Sequence, residues 1–487
     1  MTARTADEKM YAAGVLLAAS LLVFLYWPAL PAAYRQDDLA WLSLRNTVAG
    51  GHGLLWAFFS PQGEGAVRPL GDRLWFLLAA SFFGLNPVPF HALGLCVQVA
   101  NIVLMADTGW RLLGARRAAA AAVILWAIND TLVEPLVWAS ALNEVLYTFW
   151  FLAAFNAFLR WTRSRKPVWL YLHAAALVLS LGTLELAVTF PAIAGAYVLL
   201  FEKRRWKGLL PSVAIAGAYV AAHFAMAPLP QSGPYKLTLG WGMAGAFWRY
   251  WANVLGPEEY ARIYPMSLAI ARLGTLLLSA LIILWLGVSV RRRRWVSLFG
   301  LLWFVFTLAP ILPLVNHVTP YYTFLPSIGI AWIAGDALAN AASWPGRSVA
   351  IACALMYAVC HLPSTIFVRD WNIDRSRDAV IREDRMERAV RDVRRLQPDG
   401  PVFLTGLDQD QFWWGLCYGQ LTKLGFRDLH ILPDAAAHGL PIPPKEWCLS
   451  QDFQFSPDET SRLLREGSAH VYDISQSPLI PEPPIGK

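Results

Sequence analysis

The chain has 487 residues, of which 56% are hydrophobic and 15% are charged, and its mean hydropathy is +0.41. This composition excludes an ordinary soluble protein and indicates a polytopic α-helical membrane protein. The formal net charge of +7 does not indicate nucleic-acid binding, because most Lys and Arg residues lie in short segments between apolar stretches, where they report membrane topology.

Eleven apolar segments are predicted to cross the membrane, since each approaches the length that a helix needs at about 1.5 Å per residue. The first is expected to remain as an anchor, because it is long and lacks a small-residue cleavage site. Three other apolar segments, 42–59, 74–85 and 243–255, are short or broken by charges and are predicted to lie at the outer interface. The predicted spans are 11–31, 89–113, 118–132, 145–159, 168–184, 186–201, 209–227, 266–290, 296–315, 324–341 and 349–368.

The loop charges support one orientation of this scheme. It places 18 Lys and Arg residues on the cytoplasmic side and 8 in the outer loops, as the positive-inside rule requires. We therefore expect a bacterial inner-membrane protein with a cytoplasmic N-terminus. Residues 1–368 form its membrane domain, with outer segments at 34–88 and 228–265, and residues 369–487 form a periplasmic domain.

Residues 369–487 carry charges of both signs and few long apolar runs. The pattern predicts an amphipathic helix over 379–396, with Met386, Val390 and Val393 on one stripe. A strand at 401–405, a helix at 411–424 and a strand at 429–432 follow, which together predict a small α/β domain with a βαβ-like unit. The five cysteines show no paired CxxC spacing and do not indicate zinc. Cys417 and Cys448 either form a disulfide or remain two reduced, buried thiols.

Polar residues gather at the outer ends of the predicted spans. Each has a structural alternative: Glu134 as a helix cap, Glu185 as a turn residue, His317 as a structural hydrogen-bonding group, and the acidic pair after the first span as part of a hydrated loop. Their accumulation on one face nevertheless favours a functional pocket. The residues concerned are Asp37, Asp38, Glu134, Glu144, Glu185, His317 and Tyr321.

The residue types in this pocket suit the transfer of a phosphate-linked group. A carboxylate acts there either as a general base on an acceptor hydroxyl or as a ligand of a divalent ion, for which Asp37 and Glu134 are the candidates. Arg68 suits a lipid phosphate. Nucleotide sugars are cytoplasmic, whereas a lipid-phosphate-linked sugar reaches an outer pocket through the membrane. No other cofactor is indicated.

Several ordered segments of the chain resemble the GT-C membrane glycosyltransferases. They are Asp37-Asp38 after the first span, Arg68-Pro69-Leu70, Phe83 to Pro87 with Phe90-His91, Glu134 to Trp138 with Asn143-Glu144, Leu184 to Ala187, and Pro320 to Gly329. Within that superfamily the chain is most similar to the protein O-mannosyltransferase-like and aminoarabinose-transferase-like branches. The resemblance covers about residues 11–340.

The resemblance implies a role for individual residues. Asp37 would be the catalytic base or would position the acceptor, Asp38 would be its partner, and Arg68 would contact the lipid phosphate. His91, Glu134, Glu144 and Glu185 would line the pocket. The chain departs from the pattern at Pro320-Tyr321, where relatives often carry Glu-Arg; Tyr321, His317 or Arg249 would then contact the donor in place of that Arg.

The leading hypothesis is a glycosyltransferase that moves a sugar from a polyprenyl-phosphate-linked donor to a protein or glycan acceptor at the periplasmic membrane face. A non-catalytic GT-C-derived scaffold subunit of a larger membrane complex is the alternative, because of Pro320-Tyr321 and the unusual C-terminal domain. A transporter is less favoured, since the ionisable residues crowd one face and trace no path across the membrane.

Overall fold

The computed structural model describes residues 3–35, 37–38, 41–42, 44, 48, 53–59, 67–227, 229, 235–263, 267–341, 344–395, 400–408, 411–417, 428–433 and 453–475. Grouped by their contacts, the residues form two compact units. Unit 1 comprises Met1–Pro31, Arg68–Asp72 and Asn86–Asn372, and unit 2 comprises Ala32–Val67, Arg73–Leu85 and Ile373–Lys487. The domain boundary predicted between residues 368 and 369 lies inside the continuous helix Trp344–Arg395. Residues of this helix up to Asn372 belong to unit 1, and those from Ile373 belong to unit 2.

The described part of the chain is mainly helical. Its α-helices are α1 (Ala3–Tyr26), α2 (Leu54–Phe59), α3 (Trp75–Phe83), α4 (Pro87–Leu113), α5 (Arg116–Ala127), α6 (Val133–Val137), α7 (Asn143–Ser164), α8 (Pro167–Thr183), α9 (Phe190–Phe201), α10 (Leu210–Met226), α11 (Gly242–Leu255), α12 (Leu268–Arg291), α13 (Val296–Leu308), α14 (Ser327–Asn340), α15 (Trp344–Arg395) and α16 (Pro457–Arg465). A π-helical turn at Pro69–Leu74 and 3₁₀ turns at Glu185–Thr189 and Pro320–Thr323 carry residues of the predicted pocket.

Within the described residues, six helical stretches are long and apolar enough to cross a membrane, and a bent pair, Arg116–Ala127 with Asp130–Val137, makes a seventh if it counts as one span. Three shorter apolar helices are Pro167–Thr183, Glu185–Phe201 and Val296–Ile311. A helix lies at each predicted span, while α3 and α11, predicted to be interfacial, have only 9 and 14 residues. The prediction of a polytopic helical membrane protein is confirmed, and the number of 11 spans stays a prediction.

Local sequence signals set the ends of the helices. The side chain of Asn86 accepts a hydrogen bond from the Val88 N–H at 3.1 Å, and Pro87 follows at the first helical position of α4. The helix ends at Gly114, whose φ of 68° lies in the left-handed region that glycine adopts without strain. A polar cap and a terminal glycine therefore delimit this span.

Small residues allow the helices of unit 1 to approach closely. A Cβ atom added to Gly329 of α14 would lie 2.2 Å from the carbonyl oxygen of Gly300 in α13, and one added to Gly335 would lie 2.3 Å from that of Ala118 in α5. Association of helices in lipid depends on such packing, since lipid tails supply no hydrophobic driving force. Helix α14 is thereby held between α13 and α5.

Ionisable side chains within this bundle are paired. Asp107 binds Arg111 at 2.9 Å and Arg160 at 3.0 Å, and Asp336, fully buried, binds Arg294. Both acids are thus bound by arginines inside the bundle. Both sets of ion pairs lie at helix ends for which the sequence predicts a cytoplasmic location.

A buried polar network marks the bend between α5 and α6. Asp130 at the bend is fully buried; its Oδ1 lies 2.9 Å from Nδ1 of His361, and its Oδ2 accepts a hydrogen bond from the Ser364 hydroxyl at 2.7 Å. Thr365 donates to the carbonyl oxygen of Ile128 at 2.9 Å. Helix α15 thus supplies partners to the broken span, where the helical ladder is interrupted.

Unit 2 contains a three-stranded parallel sheet of order β2-β1-β3, formed by β1 (Val402–Thr405), β2 (Leu429–Ile431) and β3 (His470–Asp473). Leu404, Phe412 and Tyr472 pack on one face of it, and Phe403 and Val471 pack on the other, against which α16 lies. The two predicted strands and their parallel pairing are present. The third strand and α16 were not predicted.

Other predicted features of unit 2 have mixed outcomes. The predicted helix over 379–396 is the C-terminal part of α15, and the one over 411–424 begins as a π-helical turn, Phe412–Cys417; residues 418–424 lie outside the described part. Cys417 is disulfide-bonded, which excludes a reduced thiol there, and Cys448 lies outside the described residues.

Candidate active site

The site in unit 1 is built on the short segment that carries Arg68. Gly71 in this segment has no room for a side chain, since an added Cβ would lie 2.5 Å from the carbonyl oxygen of Thr183 and 3.1 Å from Cβ of Asn143. The segment therefore lies between the start of α7 and the end of α8. This close approach places Arg68 beside Glu185, which directly follows α8.

Arg68 and Glu185 form a two-pronged ion pair. Nε of Arg68 donates to Oε2 of Glu185 at 2.8 Å, and Nη2 donates to Oε1 at 2.6 Å. Nη1 contacts Oδ2 of Asp72 at 3.4 Å, and Oδ1 of Asp72 accepts a hydrogen bond from Nδ2 of Asn143 at 3.1 Å. The planar guanidinium group is thus fixed by two acids, one of which is itself held by α7.

The electrostatic balance keeps this cluster charged. Burial alone lowers the pKa of Arg68, but the charges of Glu185 and Asp72 outweigh it and hold that pKa well above its ordinary value. The Arg68 side chain keeps 19% of its exposure and that of Glu185 keeps 33%, whereas Asp72 keeps 2%. The cluster is therefore a charged guanidinium that an anionic ligand can reach from the partly exposed side.

A further acid, Glu144, lies near this pair on the first turn of α7. It is 1% exposed, and its Oε2 has no hydrogen-bond partner among the described residues. It lies within electrostatic range of both Arg68 and Glu185. A buried carboxyl oxygen without a partner is costly in a structural position and is a common feature of functional sites.

Aromatic side chains adjoin the cluster. Tyr322 lies within electrostatic range of Arg68, and its ring centroid is 4.6 Å from that of Tyr321. His317 contacts the Tyr321 hydroxyl at 3.3 Å and the ring of Tyr235 at 4.5 Å between centroids. Burial lowers the pKa of His317 to about 4, so that this side chain is neutral at pH 7. His317 therefore offers hydrogen bonds and no positive charge at this position.

The remaining predicted residues have separate surroundings. Arg249 pairs with Glu259 at 3.4 Å, and His91 is buried on α4 against Phe90. Glu134, on α6, is half-buried and lies within electrostatic range of Tyr321. Of the residues predicted for the pocket, the structure thus brings together Arg68, Glu185 and Glu144, with Tyr321 and His317 beside Tyr322.

Asp37 and Asp38 belong to unit 2. Asp38 is fully buried, and its Oδ2 accepts a hydrogen bond from the Arg35 N–H at 2.8 Å, while its own N–H donates to the Arg35 carbonyl oxygen at 3.1 Å. This reciprocal pair closes a turn, and the catalytic role predicted for Asp38 stays a prediction. Asp37 is half-buried and is the more accessible of the two carboxylates.

Sequence reasoning missed Asp72, His361 and Ser364. The i, i+4 spacing of Arg68 and Asp72 is a signal for such a pair on helical backbone. No comparable signal links His361 and Ser364 to Asp130, because more than 230 residues separate them. Within the described residues no three His, Cys, Asp or Glu side chains form a group suited to a metal ion, so the suggested metal role of Asp37 and Glu134 stays a prediction.

The structure is similar over 95% of its length to two solved membrane proteins. It aligns with ArnT from Cupriavidus metallidurans in the apo state at a TM-score of 0.53 and 14% identity, covering 93% of that chain. It aligns with the archaeal oligosaccharyltransferase AglB from Archaeoglobus fulgidus, in complex with an inhibitory peptide and a dolichol-phosphate, at a TM-score of 0.52 and 13% identity, covering 69% of that chain. No protein-family model and no curated protein matches the sequence.

At these identities the likeness concerns the fold, and both proteins belong to the superfamily that the sequence resembles. The chain therefore shares the fold of these two proteins.

Proposed function

We propose that the protein is a glycosyltransferase that moves a sugar from a polyprenyl-phosphate-linked donor to an acceptor at the periplasmic face of a bacterial inner membrane. One observation carries this proposal: in a GT-C fold, the partly exposed guanidinium of Arg68 is held beside a buried acid, Glu144. The dolichol-phosphate bound to AglB supports a donor of this chemistry.

Arg68 would bind the donor phosphate. A guanidinium group binds carboxylate and phosphate with the same two-pronged geometry, so a phosphate would compete with Glu185 for Nε and Nη2. Asp72 would keep its contact with Nη1 and hold the group in place. Tyr322 lies within electrostatic range of Arg68 and would contribute a further hydrogen bond, as would Tyr321 and the neutral His317 beside it.

The reaction exchanges one bond at the anomeric carbon of the sugar. The bond from this carbon to the phosphate oxygen breaks, and the phosphate leaves with the electron pair, which the charge of Arg68 stabilises. A bond to the acceptor oxygen forms, and the acceptor proton passes to a carboxylate, for which the resemblance to GT-C enzymes indicates Asp37. The acceptor is a protein or a glycan.

Two observations support the proposed orientation. The Lys and Arg residues are concentrated in the loops assigned to the cytoplasm, and the disulfide bond of Cys417 is typical of an oxidising compartment such as the periplasm. The mixed charges of residues 369–487 do not oppose translocation, since long domains cross largely regardless of charge.

The direct test is donor binding by the purified full-length protein in lipid nanodiscs, with undecaprenyl phosphate as the probe. Arg68→Ala should weaken binding by about ten-fold or more, because it removes a two-pronged contact. Arg272→Ala is the matched control, since Arg272 forms another Arg–Glu pair of unit 1, with Glu258 at 3.7 Å. Equal affinity of wild type and Arg68→Ala would refute the role of Arg68.

A non-catalytic scaffold subunit is the second candidate. It is favoured by the ion pairs of Arg68 with Glu185 and Asp72, which a donor phosphate must compete with, and by Tyr321 in the place of an Arg. Native mass spectrometry of gently solubilised membranes separates the two functions. A stoichiometric protein partner without bound polyprenyl phosphate would favour the scaffold.

A further inference from the structure

A second site lies at the other end of the bundle of unit 1. A cavity of about 480 Å³ runs between α12, α14 and α15, and Arg292 lines it beside a wall that is almost entirely apolar. Arg292 directly follows α12. Tyr322, beside the candidate active site, precedes α14, whereas the Arg294–Asp336 pair lies near the end of the same helix. The cavity therefore has its charged end away from Arg68.

The three helices each present one stripe to the cavity. On α15 the stripe occupies positions i, i+3, i+4, i+7, i+8 and i+11 of one helix face, which are Gly346, Val349, Ala350, Cys353, Ala354 and Tyr357. Its small side chains leave space between α15 and α12. The two helices approach again at Gly274, where an added Cβ would lie 3.5 Å from Sγ of Cys360. The space between α12 and α15 thus narrows at the end of the cavity away from Arg292.

The length of the cavity matches one membrane leaflet. Its α12 lining extends from Leu278 to Arg292, which corresponds to about 21 Å at 1.5 Å per residue. Half of a bilayer, with its headgroup region, is about 20–22 Å thick. A molecule with its head at Arg292 and its tail in the cavity therefore has the length of a phospholipid.

The charge at the arginine end favours an anion. Four consecutive arginines, Arg291 to Arg294, lie there, and Arg347 donates from Nε to the carbonyl oxygen of Ala341 at 3.1 Å. The buried acid near this end, Asp336, is already bound by Arg294. Arg292 forms no ion pair with any other described residue. The positive charge that faces the cavity is thus available to a phosphate.

We propose that this cavity binds one anionic phospholipid from the leaflet at the arginine end, with the phosphate on Arg292 and an acyl chain between α12, α14 and α15. This site is distinct from the donor site and does not depend on the proposed sugar transfer. The lipid would join helices that are separated by the cavity.

The test is native mass spectrometry of the full-length protein after delipidation and addition of phosphatidylglycerol or phosphatidylcholine. Wild type should retain one phosphatidylglycerol and release phosphatidylcholine. Arg292→Glu should lower phosphatidylglycerol binding about ten-fold, since it reverses a charge at the headgroup. Ala334→Trp fills the cavity without a change in charge and should abolish binding. This second variant tests the site independently if Arg292→Glu inserts incorrectly into the membrane.

Two matched controls complete the test. Arg291→Glu changes the same net charge one residue away from the cavity, and Ile283→Trp adds the same ring on the exposed surface of α12. Ile283→Trp should bind phosphatidylglycerol as wild type does, and Arg291→Glu should lose less affinity than Arg292→Glu, because of these two arginines only Arg292 lines the cavity. The proposal is overturned if Arg291→Glu is as damaging as Arg292→Glu, if phosphatidylcholine is retained equally, if Ala334→Trp still binds, or if the retained lipid is a polyprenyl phosphate.

Discussion

The ion pair between Arg68 and Glu185 predicts that Glu185 limits donor binding, so that Glu185→Gln should bind polyprenyl phosphate more tightly. The substitution keeps the shape of the side chain and removes its charge. Because both contacts to Arg68 use Nε and Nη2, a phosphate that binds this edge of the guanidinium must displace Glu185.

The magnitude follows from the exposure of the pair. Hydrogen bonds to charged groups contribute about 1.5–3 kcal/mol when buried, and exposed ion pairs contribute about 0.2–1 kcal/mol. The side chains of Arg68 and Glu185 keep 19% and 33% of their exposure, which places the pair between these limits. We take about 1.4 kcal/mol as the cost of displacement, which corresponds to about ten-fold in affinity.

The assay is titration of the full-length protein in nanodiscs with undecaprenyl phosphate. Glu258→Gln is the control, because Glu258 pairs with Arg272 at 3.7 Å and keeps 17% of its side-chain exposure. We expect tighter binding for Glu185→Gln and no change for Glu258→Gln. Weaker binding by Glu185→Gln would refute this reasoning and show that Glu185 serves to position Arg68.

Three further predictions concern stability, and each is measured on purified protein. Asp130→Ala removes two buried hydrogen bonds to His361 and Ser364 and should lower the free energy of unfolding by about 3–5 kcal/mol; a loss below about 1 kcal/mol would contradict the role of this network. Gly329→Ala should lower the Tm in thermal denaturation, because its Cβ would meet a carbonyl oxygen at 2.2 Å. Gly195→Ala, with nothing within 4 Å of its Cβ, should have the Tm of wild type in the same assay. For His317 the pKa falls from 6.5 to about 4 on folding, so the folded state disfavours the charged form; its contribution to stability is present above pH 6.5 and is lost as the pH falls through 4. His317→Gln should flatten the dependence of Tm on pH in this range, and an unchanged profile would exclude His317 as its source.

Much of the membrane architecture follows from the sequence, because hydropathy and helix-terminal signals are local. Asn86-Pro87 before α4 and Gly114 after it delimit a span without knowledge of its neighbours. The bend between α5 and α6 is less accessible to prediction, since Asp130 finds its partners on α15. The small domain shows the same limit: β1 and β2 were predicted from local pattern, whereas β3 pairs with β1 from about 70 residues away.

The candidate site was predicted only in part for a related reason. Arg68 and Glu185 were both identified from their position and from the GT-C resemblance, but their mutual ion pair depends on how Gly71 lies against Thr183. Asp38 was assigned as the partner of Asp37 from the GT-C resemblance, and in the structure it is a buried residue in a turn. Chain adjacency does not determine which of two acids remains accessible. The catalytic roles of both stay predictions.

The central claim is that this GT-C fold transfers a sugar with a carboxylate from the first outer loop. The most direct measurement is the surface glycan profile of the native host carrying wild type or Asp37→Asn, at equal abundance in the membrane. Asp374→Asn, in an exposed ion pair with Arg377 in unit 2, is the control. The account predicts that Asp37→Asn abolishes a glycan that wild type and Asp374→Asn both produce. An unchanged profile in Asp37→Asn would contradict it.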